Sequence, residues 1–570
     1  MQNSPDIRSR LRTRLGEWQN KQRIARLARQ VAAHARPGPG QPAVVFFNAS
    51  TRLTGLSQNA AFSLLAGWGM RLAGVRVVHF ISRSGMSRCV LGTNRDDFSA
   101  PPPCDACIDQ SRRLYAGAEV RWFNYQADLT LAAALQDLSV DELSNFEYRI
   151  PAEDHPGHSA LPAQTPIPLG RLVMPALRWA LRRHHLEDEE STRFLLREYM
   201  LSAYHVAREF AALLAEVKPA AAVLFNGIMY PEAAARWVAQ ERGLRVLTHE
   251  VGFQRFSTFF TTGQATAYPI HIPNDFELTS EQNAVLDAYL ERRFQGKFTM
   301  AGIRFWPEMH RLDDTFLQRA AQFRQLVPVF TNVVFDTSQV HANTVFEHMF
   351  AWLDLVLEII RAHPETLFVI RAHPDEMRPG TAKQSRESVR AWAERQGVKD
   401  LPNVVFIDSQ EYVSSYELIQ RARFVIVYNS SIGLEAALMG KAVLCGGKAR
   451  YTQYPIVFFP DSPQACRQQA EIFLSIDPKE ETPHPIEIPE EFRRNARRFL
   501  YYQLYRASLP MERYMEAGPR QGFVQLRSFS WRDLLPENSL TIQVLADGIL
   551  GNRQVGEETI LMPEGEGIRD

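Results

Sequence analysis

The chain has 570 residues with 64 Lys+Arg against 64 Asp+Glu, a net charge of zero that argues against a dedicated nucleic-acid binder. Its 45% hydrophobic and 22% charged residues are typical of a soluble globular protein, and the length exceeds what one ordinary core serves, so two domains plus extensions are expected. No run reaches the ~18 apolar residues of a membrane span and no secretory h-region opens the chain; five cysteines fit a reducing compartment, so the expected location is cytoplasmic, with the inner face of the membrane as the alternative.

Ser4 to Arg36 reads as a basic helix, with Leu11, Leu15, Trp18, Ile24, Leu27 and Val31 spaced mostly at threes and fours. Such a helix either makes a peripheral contact with an anionic membrane or packs on its own domain. The Pro/Gly run ending at Pro42 breaks it, and a first domain is expected over 43–315.

An α/β rhythm starts there: strand Ala43–Phe47, polar turn 48–51, helix Ser57–Leu72, strand Val75–Phe80. The turn carries no G-x-G-x-x-G, which disfavours a dinucleotide cofactor. Asn48 and Ser50 sit at a strand's carboxyl edge and are expected to line the cleft, together with Asn226 further on. Cys89, Cys104 and Cys107, spaced C-x14-C-x2-C, supply three ligands of a zinc or iron–sulfur site. His79 or Asp109 would be the fourth; a redox pair or plain packing are the alternatives.

Residues 128–169 are polar and weakly periodic, an insertion expected over the cleft mouth, and 169–217 read as helical. The rhythm then resumes: strand Ala220–Phe225, Asn226-Gly227, helix Pro231–Gly243, strand Arg245–Thr248, then His249-Glu250. A carboxylate at this edge suits a general base, or a group that steadies positive charge at a reacting centre. His249 competes as the base. The alternative is that Glu250 merely bonds amides of its own loop.

The second domain is expected over 316–475. Strand Val327–Val334 leads into Phe335-Asp336-Thr337-Ser338, where Asp336 either orders ligand hydroxyls or caps the helix Phe346–Ile360. Strand Leu367–Ile370 ends in Arg371-Ala372-His373-Pro374-Asp375, leaving an imidazole and a guanidinium at its carboxyl mouth; Arg371 contributes unless it pairs with Asp375. The same tetrad at Arg361–Pro364 precedes the strand and so lies at the opposite edge. Strand Val404–Ile407 follows, then strand Phe424–Val427, turn Asn429-Ser430-Ser431, helix Leu434–Met439, Gly440 and strand Ala442–Cys445. The turn offers backbone N–H groups and two hydroxyls to a phosphate. Glu435 lies four residues after Ser431, out of register for a capping box, which leaves it for a ribose. Residues 476–570 are a linker and C-terminal helices packing back.

The order His373-Pro374, then Asn429-Ser430-Ser431-x-Gly433-x-Glu435-Ala436, then Gly440-Lys441-Ala442-Val443 resembles the donor-binding half of the bacterial capsular polysaccharide synthesis family, convincingly over Val327–Val457. The resemblance implies a GT-B-like architecture: two facing Rossmann-like, doubly wound α/β domains with helical N- and C-terminal extensions. It further implies a metal-independent glycosyltransferase, requiring no cofactor, that moves a sugar such as Kdo from a nucleotide donor to a glycan or glycolipid acceptor. His373, Ser430 and Ser431 would hold the donor phosphate and Glu435 the ribose. A CDP-glycerol-type phosphotransferase, a nucleotide-sugar epimerase and a non-catalytic assembly protein remain alternative readings.

Overall fold

The computed structural model describes residues 7–38, 40, 42–49, 55–150, 160–161, 165–295, 309–378, 384–475, 486–519, 522–552 and 558–565, with side chains from residue 13 onward. Two mostly parallel sheets organise it. In the first, β1 (Ala43–Phe47), β2 (Arg76–Ser82) and β3 (Glu119–Phe123) run outward in one direction, and β4 (Ala221–Phe225) and β5 (Arg245–Val251) in the other. β6 (Ser257–Thr261) closes that side antiparallel to β5. The second sheet is wholly parallel. β7 (Gln325–Phe330), β8 (Thr366–Arg371) and β9 (Val404–Ile407) run one way, and β10 (Val425–Val427) and β11 (Val443–Cys445) the other, in the order β11-β10-β7-β8-β9.

These strands are apolar on both faces because both faces are covered. In β1, Val45 and Phe47 enter one core while Val44 and Phe46 enter the other. In β8, Leu367 and Val369 face one cluster while Phe368 and Ile370 face the next. Each sheet reverses its winding once, between β1 and β4 and between β7 and β10. This is the GT-B-like α/β arrangement expected from the sequence.

Local chemistry explains several boundaries. Ser57 caps the Gln58–Leu72 helix by accepting from Ala60 N. The stretch 169–217 is two helices, Leu169–Leu181 and Glu190–Val217, because Arg182 adopts a left-handed conformation (φ 60°) and turns the chain toward the second sheet. β7 stops at Phe330 instead of running to Val334: Thr331 N and Oγ1 both bond the Arg371 carbonyl, and the chain then turns. The helix expected over 346–360 is Met349–Ala362.

The N-terminal helix, Ile7–His34, packs on its own domain along its second half. Ile24, Leu27, Ala28 and Val31 are buried in the first domain's core, while Leu15 and Trp18 are more than half exposed. The C-terminal segment returns to the first sheet: β12 (Leu509–Pro510) pairs antiparallel with β6, and the Leu540–Leu550 helix packs on Gln58–Leu72. Between those helices the fit is tight, since a Cβ on Gly69 would stand 2.5 Å from Ile542 Cγ2.

Gly69→Ala is therefore expected to lower the melting temperature, the overlap costing about 1–3 kcal/mol against the ~1 kcal/mol that alanine gains in helix propensity. Combined with Ile542→Ala it should cost less than the sum of the two single changes, as thermal unfolding of all four variants would show.

Candidate functional site

In open α/β sheets ligands bind beyond the carboxyl ends of the strands, where the winding reverses. In the second sheet the loops after β7 and β10 flank that point, and one amide knots them together. Asn429 Oδ1 accepts from Asn332 Nδ2 (2.6 Å) and from Gln339 Nε2 (3.3 Å), and Asn429 Nδ2 donates to Ser338 Oγ (3.4 Å). Asp336 does not cap the following helix, whose first turn bonds His348 Nδ1 instead. Its Oδ1 accepts from Ser338 N (2.9 Å), which tightens the loop around its own carboxylate.

Beside this knot, no hydrogen bond engages the Ser430 and Ser431 hydroxyls among the described residues, while the Ser430 carbonyl is fixed by Tyr451 OH (2.8 Å). Gly433 is what allows that bond: a Cβ there would lie 2.2 Å from the Tyr451 hydroxyl. His373 follows β8, at the same carboxyl edge but with β7 between it and the serines, so the two loops rise about 10 Å apart. Its Nδ1 accepts from Asp375 N (3.1 Å), which places the neutral ring's proton on Nε2.

Two expectations change here. Glu435 is not left over for a ribose: it is buried, with Oε1 held by Arg293 (2.6 Å) and Oε2 by Tyr416 OH (2.5 Å). The gap in capping register was real, and the carboxylate is used for an internal ion pair. Arg371 does not pair with Asp375, which takes Arg378 Nε (2.7 Å). The Arg371 guanidinium is buried toward Met309 Sδ (4.0 Å) with Nη1 unpartnered, and burial lowers its pKa to about 10.

The first sheet supplies the other wall. Glu250 belongs to β5 rather than to a loop after it, and the ladder extends three residues past the expected end. Its Oε1 accepts from Asn59 Nδ2 (2.8 Å) and from Val251 N (2.9 Å), and Asn226 also bonds it. Burial pushes this carboxyl above the usual range against those three bonds, and the negative charge of Asp336 on the facing sheet pushes the same way. Glu250 and Asp336 therefore approach each other from opposite domains.

His249, next in the strand, is a poor base. It is buried, stacked on Phe260 (ring centroids 5.0 Å apart), and burial holds its pKa down to about 3. Asn226 lies at the first sheet's reversal in a left-handed turn (φ 27°) and supports Glu250. Asn48 is instead tied into its own domain, facing His79 Nδ1 (3.2 Å) and accepting from Ser63 Oγ (3.1 Å). Ser50 falls outside the described residues.

Between the sheets lies a cavity of about 790 Å³. Its second-domain wall includes Asp336, Thr337 and Gln339; its first-domain wall includes Arg171, Arg178, and Ser139, Asp141 and Asn145 of the expected insertion. Direct hydrogen bonds also join residues assigned to the two domains, at two separate places. Tyr454 OH donates to Ile270 O and accepts from Ile272 N at one; Arg386 N bonds Arg182 O at the other.

Cys89, Cys104 and Cys107 do line one small cavity of about 20 Å³. The proposed fourth ligands are engaged elsewhere: His79 is buried against Tyr115 and Asn48, and Asp109 pairs with Arg112 (3.5 Å). Burial pushes the Cys89 thiol up to about 12, against the bond from Gly92 N to its sulfur. Among the described residues, the metal-ligating atoms gathered as a group of three within 4.8 Å are those of His184, His185 and His348.

Sequence reasoning missed Asn332, Gln339, Asn59, Arg293, Tyr416 and Arg450. The Arg450 guanidinium sits over Phe253 (4.4 Å), an aromatic ring of the facing domain. None of these lies in a recognisable motif, and their partners are far away in sequence.

The two sheets, their facing reversal points and the cleft between them define a two-domain α/β protein of GT-B-like fold. Residues 301–456 match the family described as capsule polysaccharide biosynthesis protein. Protein FixF of Sinorhizobium fredii (strain NBRC 101917 / NGR234) is 30% identical over 109 residues, 19% of this chain, and the chain spans 23% of that relative's length. Among solved structures, the beta Kdo 2,4 transferase KpsC of Thermosulfurimonas dismutans aligns at 13% identity and TM-score 0.34, covering 54% of this chain and 84% of that one. The UDP-GlcNAc 2-epimerase of Neisseria meningitidis, bound to UDP-GlcNAc, aligns at 12% identity and TM-score 0.22, covering 81% and 98%.

Removing the cation of the buried pair should be costly. Arg293→Met leaves Glu435 enclosed and uncompensated, and a loss of about 3–5 kcal/mol is expected in chemical denaturation; Tyr416→Phe should cost less, about 1–3 kcal/mol.

Proposed function

We propose that this chain is a glycosyltransferase of capsule or surface-polysaccharide synthesis, moving a sugar from a nucleotide-activated donor to a glycan or glycolipid acceptor. The observation that carries the reading is that Glu250 and Asp336, from opposite domains, lie near enough for the charge of one to act on the other, in a protein whose Ser430 and Ser431 hydroxyls no hydrogen bond engages among the described residues. The nucleotide would lie at the β7/β10 reversal, with Ser430, Ser431 and the Nε2–H of His373 bonding the phosphate. The acceptor would enter through the cavity whose second-domain wall carries Asp336.

The chemistry follows from these positions. The bond between the anomeric carbon and the phosphate oxygen breaks, and donors fixed beforehand stabilise the charge that gathers on the leaving phosphate. Glu250, as carboxylate, takes the proton of the attacking acceptor hydroxyl or steadies positive charge at the anomeric carbon. Its raised pKa makes it the stronger base, and Asn59, Asn226 and Val251 N fix its direction. None of these steps draws on the three cysteines or on His249.

A thermal-shift panel of CMP, CDP, UDP and GDP tests the donor site. One nucleotide at a hundredfold excess over its Kd is expected to stabilise the fold by about 2.7 kcal/mol. That stabilisation should be lost in His373→Ala and in the Ser430→Ala, Ser431→Ala pair, and kept in Cys104→Ser. A chain that none of the four nucleotides stabilises would contradict the proposal.

A further inference from the structure

Away from the reversal points, three imidazoles meet at the seam between the domains. Arg182 ends the Leu169–Leu181 helix in its left-handed turn, so the chain carries His184 and His185 across to the second sheet. There His348 heads the Met349–Ala362 helix. The ring centroids stand 4.6 Å apart for His185 and His348, 4.9 Å for His184 and His348, and 5.0 Å for His184 and His185. His185 Nε2 faces His348 Nε2 at 3.2 Å. Glu387 lies beneath them: its Oε2 accepts from His184 N (2.8 Å) and His185 N (3.0 Å), and its Oε1 accepts from His185 Nδ1.

We propose that His184, His185 and His348 bind one divalent transition-metal ion, of which zinc is the type, across the interdomain seam. Three observations converge on this. The ligand atoms of all three rings lie within 4.8 Å of one another. Two nitrogens each ~2.0–2.1 Å from a tetrahedral ion stand about 3.3–3.4 Å apart, close to the 3.2 Å between His185 and His348. The other nitrogen of His185 is bonded to a carboxylate, the outer-shell arrangement that turns the free ring nitrogen toward a metal. Nitrogen-only donors favour the zinc, nickel and copper group over magnesium or calcium. His184 and His185 also line the 790 Å³ cavity, which leaves a water to complete four-coordination.

The protons balance. In the metal-free chain Ala351 N donates to His348 Nδ1 (3.0 Å), so a neutral His348 carries its proton on Nε2 and gives it to His185 Nε2. On loading, that proton moves to Nδ1, the lone pair of Nε2 turns to the ion, and no proton is released. The change exchanges one helix-capping bond for a metal bond. Because two ligands come from the first domain and one from the second, the ion ties the two domains together beside the cavity.

The test uses the full chain, stripped with chelator and titrated with Zn²⁺ in a calorimeter. One ion per chain is expected, with affinity falling at least tenfold in His185→Ala and in His348→Ala. Glu387→Gln should weaken it about 10–100-fold, and the Cys104→Ser, Cys107→Ser pair should leave it unchanged. Co²⁺ in the unaltered chain should give visible bands of tetrahedral nitrogen and oxygen ligation without thiolate charge transfer, a readout that needs no variant to fold. Absence of binding, affinity unmoved by either histidine change, or a charge-transfer band abolished by Cys104→Ser would each overturn the proposal.

Discussion

The Asn429 side chain bridges the loops that leave β7 and β10, and the candidate site depends on that bridge. Its carbonyl takes two donors from the first loop while its amide reaches Ser338. Gln339 opens a short helix (Gln339–Ala342) and Ser431 precedes the helix Ile432–Leu438, and these side-chain bonds tie the two segments together above the strands. The bridge ties the loop that carries Asp336 into the cavity wall to the turn that carries the next two residues, Ser430 and Ser431. A parallel sheet places the loop ends on one edge; the amide fixes the distance between them.

Behind this edge two buried carboxylates are paired with cations. Glu435 is closed off by Arg293 and Tyr416, and Asp375 by Arg378. Glu250 differs from these two: its three partners are neutral donors, and Asp336 across the cleft repels it. A carboxylate held by neutral hydrogen bonds near a second negative charge keeps a raised proton affinity, whereas one paired with arginine loses it. This difference separates a structural glutamate from one suited to proton transfer.

Much of this was legible in the chain. The doubly apolar runs at Ala43–Phe47, Leu367–Ile370 and Phe424–Val427 predict buried parallel strands, and the structure has strands there. Position at a strand's carboxyl edge singled out Glu250, His373 and the Asn429–Ser431 turn, and all of them lie on that edge. Roles decided by long-range partners were not legible. Nothing near Glu435 announces Arg293, 142 residues earlier. Asn48 and Asn226 occupy equivalent edges, yet only Asn226 turns to Glu250, because Asn48 is drawn inward by His79 and Ser63. Spacing singled out the cysteines as a metal site, whereas the gathered imidazoles come from positions 184, 185 and 348, which form no motif. β6 and β12 were missed for a similar reason, since β12 is a two-residue edge strand defined by its pairing with β6, and β6 is set by antiparallel pairing with β5 on its other side.

The central claim is that Glu250 works as a carboxylate whose proton affinity is raised by burial and by Asp336 on the facing domain. The most direct measurement is the pH dependence of sugar transfer in the unaltered chain and in Asp336→Asn. A base must be deprotonated, so activity should fall as pH drops through the raised pKa of Glu250. Removing the neighbouring negative charge lowers that pKa and should move the acid limb to lower pH, while Glu250→Gln should abolish the limb along with most of the activity. An acid limb at the same pH in Asp336→Asn, or full activity in Glu250→Gln, would contradict the account.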